Sequence, residues 1–354
     1  MNVRVGARRG APVGDKPGPA AELRSGAHFA DLAWLAWRQH RVVITTTVLV
    51  VAAVVVAALA LATQANDLAA RCDQNGCPPD FVDQRKALVT HARRLLLYGL
   101  PVLSGIVAVF WGAPLVSREY EQRTHLLVWL QDVSPRRWLV SKVASLGALV
   151  VLLYAVYGVA TSSLVRGLKA IRETAVGGGD AIELVLQPFS TTFEAAPSLQ
   201  VAYALFGFAL GVAAGAVARR TLVAVAITLV GFAAVRYVIA EYPRVHFLPP
   251  LRRTRLLDAP VDTPPGGFSA NVIMGGGHLD AAGNEIPTPA ACFDDTGAIA
   301  SECLRQHGVV SAFYDYQPVA REGTFQLIEL GIYLVLTAVL AVVAWRRLRS
   351  ATAF

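Results

Sequence analysis

The fold class predicted by this sequence is an all-α polytopic membrane protein. It has six transmembrane helices, both termini cytoplasmic, and an extracellular loop subdomain before the last helix. Three observations carry that prediction. The 354 residues are 55% hydrophobic and only 16% charged, against about 25% charge in soluble domains. Six apolar stretches reach the roughly 20 residues needed to cross a bilayer. Arg and Lys crowd the short flanks on one side of those stretches, as they do on the cytoplasmic side of spans. The net charge of +7 is therefore topological. No basic run is interleaved with aromatics in the manner of a nucleic-acid groove.

Residues 1–27, rich in Gly, Ala, Pro and Arg without periodicity, read as a disordered leader. From His28 to Arg41 (HFADLAWLAWRQHR), Phe29, Leu32, Ala33 and Ala36 recur at helical spacing beside Trp34 and Trp37. An amphipathic interfacial helix is expected over 28–41, ending on Arg38 and Arg41; the other reading is a simple flank of the first span. Residues 42–63 form that span, more than 18 apolar residues without a charge. A leader of about 40 residues and an apolar core of about 20 are both too long for a signal peptide. Further spans are expected at about 95–116, 143–163, 200–218, 221–240 and 326–345. Arg219-Arg220 is the only break between the fourth and fifth, which makes them a tight helical hairpin.

With the N-terminus inside, Arg38/Arg41, the segment 118–142, Arg219/Arg220 and Arg346/Arg347/Arg349 all fall on the cytoplasmic side. Spans one to five then fill 42–240, and 326–354 holds the last span and a basic cytoplasmic tail. The outer segments are 64–94, 164–199 and 241–325, where long acid-balanced loops are exempt from the charge rule. Both cysteine pairs lie outside, in an oxidising compartment, so disulfides Cys72–Cys77 and Cys292–Cys303 are expected. No metal site is expected, because seven scattered His and two isolated Cys pairs do not make a zinc set. The largest outer piece, 241–325, is punctuated by Pro249-Pro250, Pro264-Pro265 and Gly275 to Gly277. It is expected to form a small lid.

No GxxxxGK followed by Ser or Thr occurs, so the chain carries no P-loop and no catalytic site for ATP. GxSxG and HExxH are also missing. Gly177 to Gly179 and Gly275 to Gly277 lack a strand–turn–helix context and read as loop glycines. Gly207, Gly211 and Gly215 lie four residues apart on the fourth span and make a smooth groove for another helix. The first span, the fifth or a second subunit would fill it. Arg236 and Glu329 are the two charges inside apolar segments, each near the outer end of its helix. They are expected to form an ion pair pinning the fifth and sixth spans.

The stretch 111–142, WGAPLVSREYEQRTHLLVWLQDVSPRRWLVSK, leaves one span, turns charged, and enters another. Ser134-Pro135 reads as an N-cap with Pro at the first helical position. A short helix held off the membrane between two spans is well placed for a soluble partner. Glu119 and Glu121 would meet its basic groups, and Leu126, Leu127 and Leu130 would fill an apolar cleft.

On these residues the chain resembles the permease subunits of type-2 ABC exporters. In that family a Glu-containing span end leads to a Thr, a Leu-rich turn, a Pro/Ser/Arg cluster and a Lys. Here those positions are Glu119 and Glu121, Thr124, Leu126 and Leu127, Ser134-Pro135-Arg136 and Lys142. WLAWRQHR at 34–41, FALGVAAGAVARRT at 208–221 and YQPVAREGTFQLIE at 316–329 resemble an actinobacterial subgroup of the same family. The resemblance implies a multi-pass bacterial plasma-membrane subunit without a cofactor of its own, working as a homo- or heterodimer. Cytoplasmic ABC ATPase subunits, which hold ATP and Mg, would dock on 118–142. It also implies that the segment Val309 to Phe325 dips back into the outer leaflet. Export of an amphiphilic substrate is the function expected. The alternative is a non-transporting scaffold or sensor whose 241–325 loop binds a ligand or protein.

Overall fold

A computed structural model describes residues 29–72, 76–121, 135–174, 180–257, 259, 271–293 and 301–351. Among these, six helices are long and apolar enough to cross a membrane: His40–Ala70, Phe81–Glu121, Val140–Glu173, Pro197–Ala218, Thr221–Glu241 and Val319–Arg349. They coincide with the six expected spans and extend beyond most of them.

The extensions have local causes. The first helix runs unbroken over Phe29–Ala70, because no Gly or Pro interrupts its hydrogen-bond ladder. The separate interfacial helix expected at 28–41 is thus the leading part of the first helix. The second helix starts at Phe81, well before 95, and carries two π-helical segments, Leu95–Gly99 and Ala108–Gly112. The first of them immediately precedes Pro101, whose missing N–H and bulky ring disrupt the regular i→i−4 ladder.

The fourth span is the centre of the bundle. Two thirds of its apolar window is buried (67%), against 44% for the next most buried span. Its Gly and Ala content lets neighbouring backbones approach closely. A Cβ at Gly211 would stand 2.5 Å from both the Ala108 carbonyl oxygen and the Ala113 nitrogen; one at Gly215 would stand 2.7 Å from the Ala113 carbonyl. A Cβ at Gly207 would meet the Ala108 side chain at 2.9 Å and the Phe232 ring at 3.1 Å. The glycine groove is therefore filled by the second span of the same chain, with Phe232 of the fifth span at one end. Of the occupants expected, the fifth span accounts only for that end.

The 241–325 region departs from an all-α fold. It holds an antiparallel sheet of order β1-β4-β2-β3: β1 Leu251–Leu256, β2 Asn271–Leu279, β3 Glu285–Ile286 and β4 Ser311–Pro318. Gly275 to Gly277 are strand residues beside a bulge, and not a loop. Gly277 takes no side chain because the Phe313 ring lies 2.9 Å from where its Cβ would be. The dip back into the membrane expected over Val309–Phe325 is replaced by β4, which pairs on both edges, and by the start of the last helix. Phe313, Tyr316 and Gln317 are the buried residues of β4, so both faces of this central strand are partly covered. Gln317 joins the sheet to the bundle by donating to the Val245 and Leu248 carbonyls at 3.1 and 2.6 Å. Cys72–Cys77 and Cys292–Cys303 are both disulfide-bonded.

Candidate functional site

Six spans alternate in direction, so the end of the second, the start of the third, the hairpin of the fourth and fifth, and the end of the sixth share one end of the bundle. There the second span is fastened on two sides. Lys142 Nζ donates to Glu119 Oε1 at 2.6 Å, with side chains only 3% and 17% exposed. Glu121 accepts from the Thr221 backbone N–H at 2.8 Å and from the Thr221 hydroxyl at 2.6 Å. Ser117 Oγ adds a bond to Thr221 Oγ1 at 3.2 Å. Thr221 is the first residue of the fifth helix, whose opening N–H groups have no partner within the helix. A carboxylate there satisfies one of them and complements the positive end of the helix dipole. The hairpin that presents Thr221 closes on Arg219, in the left-handed conformation (φ 53°), whose guanidinium lies 5.3 Å above the Tyr120 ring. Further into the bundle, Trp111 Nε1 donates to Thr47 Oγ1 at 3.0 Å and ties the second span to the first.

Glu119 and Glu121 were expected to begin an exposed surface reaching for a partner. Glu119 is instead largely covered and holds the third span, whereas Glu121 is exposed, as expected, while also holding the first residue of the fifth. Thr124, Leu126, Leu127 and Leu130 lie outside the described residues. Arg136 lies in the first turn of the helix Pro135–Thr174, with its side chain also outside them.

At the opposite end, two arginines and two glutamates are buried together. Arg244 donates through Nε to Glu329 Oε2 (2.9 Å) and through Nη2 to Glu329 Oε1 (3.0 Å) and Glu194 Oε1 (2.8 Å). Its Nη1 donates to the Phe189 carbonyl at 3.3 Å. Arg236 Nη2 donates to Glu194 Oε2. Tyr203 donates its hydroxyl to Glu329 Oε1 at 2.6 Å, while its ring carries the Arg236 guanidinium 3.6 Å above the centroid. The expected Arg236–Glu329 ion pair is therefore corrected. Arg236 pairs with Glu194, Glu329 pairs with Arg244, and Tyr203 stands between. Arg236 keeps Nε and Nη1 without a hydrogen-bond partner, and the face of Tyr203 offsets part of that cost.

The charges balance, as a buried set must. Burial alone would raise the Glu194 carboxyl, but Arg236 and Arg244 hold it below its ordinary range. Burial would likewise depress Arg244, and hydrogen bonds to Glu329 with the charge of Glu194 hold it above its ordinary value. The cluster locks the fourth, fifth and sixth spans to the loop before the fourth and to the turn Arg244–His246 that leads into the sheet. Glu194, Arg244 and Tyr203 were missed in the sequence because the first two lie in stretches that read as outer loops. The available signal was the charge itself: each intramembrane charge requires a buried counter-charge from somewhere.

From the end that holds Lys142, an apolar groove of about 460 Å³ runs inward among the third, fourth and sixth spans. Val143, Gly147, Phe208, Val212, Ala341 and Trp345 are among its lining residues. Its volume falls in the range of ligand pockets, about 300–1,000 Å³.

Among the described residues, Cys292, Cys303 and His307 form one group of metal-ligand type. Its sulfurs are joined to each other and are not thiolate ligands. No curated protein and no solved structure matches the chain. The family described as ABC-2 membrane transporter related matches residues 44–244, more than half of the chain, taking in nearly all of the first five spans with Glu119, Glu121, Glu194, Arg236 and Arg244, and leaving Glu329 of the sixth span outside. This chain belongs to the ABC-2 membrane transporter related family, and so to the membrane-spanning permease components of ABC transporters.

Proposed function

We propose that this chain is the permease subunit of an ATP-driven exporter, in a bacterial plasma membrane and of the actinobacterial kind its motifs resemble. It works as a dimer, with ATP hydrolysed on separate cytoplasmic subunits that dock on 118–142. One observation supports this reading above the others. The chain on both sides of 122–134 is fastened directly to span helices, through Glu119–Lys142 and Glu121–Thr221. A displacement imposed there by a partner is passed to the second, third and fifth spans together. The partner drives transport only if it binds one arrangement of the spans more tightly than the other. An amphiphilic cargo suits the apolar groove of the third, fourth and sixth spans.

The test separates docking from transmission. Leu126 and Leu127 changed together to Ser are expected to release the ATPase in a pull-down. Lys142→Met with Glu119→Leu is expected to leave docking intact and to lower permease-dependent ATP hydrolysis. Undiminished binding and stimulation in both variants would remove the coupling role and leave the scaffold reading in its place.

A further inference from the structure

The disulfide between Cys292 and Cys303 has an imidazole beside it. His307, one turn beyond Cys303, places Nδ1 3.6 Å from Cys292 Sγ and 3.7 Å from Cys303 Sγ. The same Nδ1 is 2.9 Å from the Cys303 carbonyl oxygen. A carbonyl only accepts, so Nδ1 is the nitrogen that bears hydrogen. The His307 backbone N–H is held by the Cys303 and Leu304 carbonyls at 3.2 and 3.1 Å. An N–H group that donates to the Cys303 carbonyl therefore stands within 3.6–3.7 Å of both sulfurs.

The two sulfurs differ in access. Cys292 is 2% exposed, in a small apolar cluster with Leu304 and Val309. Cys303 is only partly covered, and His307 is exposed. A thiolate left at Cys292 would be costly in those surroundings without a donor, and a donor or cation beside a cysteine lowers the cost of its thiolate. The Cys72–Cys77 bond differs: Cys72 Sγ lies 4.0 Å from the Leu68 carbonyl oxygen, an acceptor that stabilises no thiolate.

We propose that Cys292–Cys303 is an exchange-active disulfide, opened by an external dithiol at Cys303, with His307 as the positioning residue for the departing Cys292 thiolate. The attacking thiolate forms a bond to Cys303 Sγ as the Cys303–Cys292 bond breaks. The electron pair leaves on Cys292 Sγ, toward which the Nδ1–H turns from the Cys303 carbonyl to donate its hydrogen bond, and which later takes a proton from solvent. The second thiolate of the dithiol then attacks its own sulfur in the mixed disulfide and releases Cys303 as thiolate. Two electrons have passed from the dithiol, now a disulfide, to the cysteine pair. Leaving-group stability and access both govern such exchange, and here one side chain serves the first while the exposed sulfur serves the second. Opening the bond frees the helix Ser301–Gln306 from the turn Ala290–Cys292.

The full chain in detergent is treated briefly with dithiothreitol, quenched by alkylation, and both disulfides are followed by peptide mass spectrometry. His307→Phe is expected to slow opening of Cys292–Cys303 by about tenfold or more, the range of a charge-assisted hydrogen bond, and to leave Cys72–Cys77 unchanged. His307→Gln keeps an N–H donor and is expected to recover part of the rate, which a purely packing role would not predict. In the unaltered chain, the monothiol glutathione is expected on Cys303. Opening of His307→Phe as fast as the parent, or glutathione recovered on Cys292, overturns the proposal. The glutathione arm needs no variant and decides the matter even if a substitution disturbs folding.

Discussion

Replacing Glu329 by Gln tests the buried cluster at its best-defined point. Glu329 is fully buried and accepts three hydrogen bonds, two from Arg244 and one from Tyr203. At about 1.5–3 kcal/mol for each bond to a charged group, a plain sum overstates the loss. Arg244 keeps Glu194 at 2.8 Å and the Phe189 carbonyl at 3.3 Å, and Gln keeps one acceptor oxygen. The loss should therefore fall near the lower end of that for opening a buried pair, about 3 kcal/mol. Equilibrium unfolding in mixed micelles, followed by tryptophan fluorescence, measures it. Two mutant cycles then apportion it, one pairing Glu329→Gln with Arg244→Met and the other pairing it with Arg236→Met. The Arg244 cycle should show an interaction of about 2 kcal/mol or more and the Arg236 cycle a clearly smaller one, since only groups in direct contact couple strongly. A loss below about 1 kcal/mol, or a larger coupling for Arg236, refutes the pairing.

Two further predictions follow from the packing and the charges. Gly211→Val places carbon against the Ala108 carbonyl and the Ala113 nitrogen. It should cost at least the 1–3 kcal/mol of an overpacked core, whereas Gly231→Ala, which meets only the end of Leu210 at 3.4 Å, should be tolerated in the same unfolding assay. The depressed Glu194 carboxyl makes its stabilisation complete above the ordinary carboxylate value of 4.5. That contribution is lost as pH falls through the lower folded value. An acid titration of stability should show the loss in the parent and a shallower slope in Glu194→Gln; identical slopes would exclude Glu194 as the titrating group.

The number and order of the spans were legible in the sequence because a membrane span is a one-dimensional property: about 20 apolar residues in a row announce themselves without a partner. The hairpin at Arg219-Arg220 and the close-packing role of Gly207, Gly211 and Gly215 were legible for the same reason, being matters of local spacing. Contacts between spans were not. The glycine stripe shows that a backbone comes close, but only the folded bundle decides that the backbone is that of the second span. Arg236 and Glu329 show that buried charge must be answered, but Glu194 and Arg244 answer it from 42 residues before Arg236 and 85 residues before Glu329 along the chain. The sheet escaped because β1 carries three Arg and β2 three consecutive Gly, and because β4 pairs with strands far earlier in the chain, so pairing and not propensity makes them strands. What a linear pattern determines is which segments leave water; which neighbours they find there depends on long-range packing and charge balance, and those exist only in three dimensions.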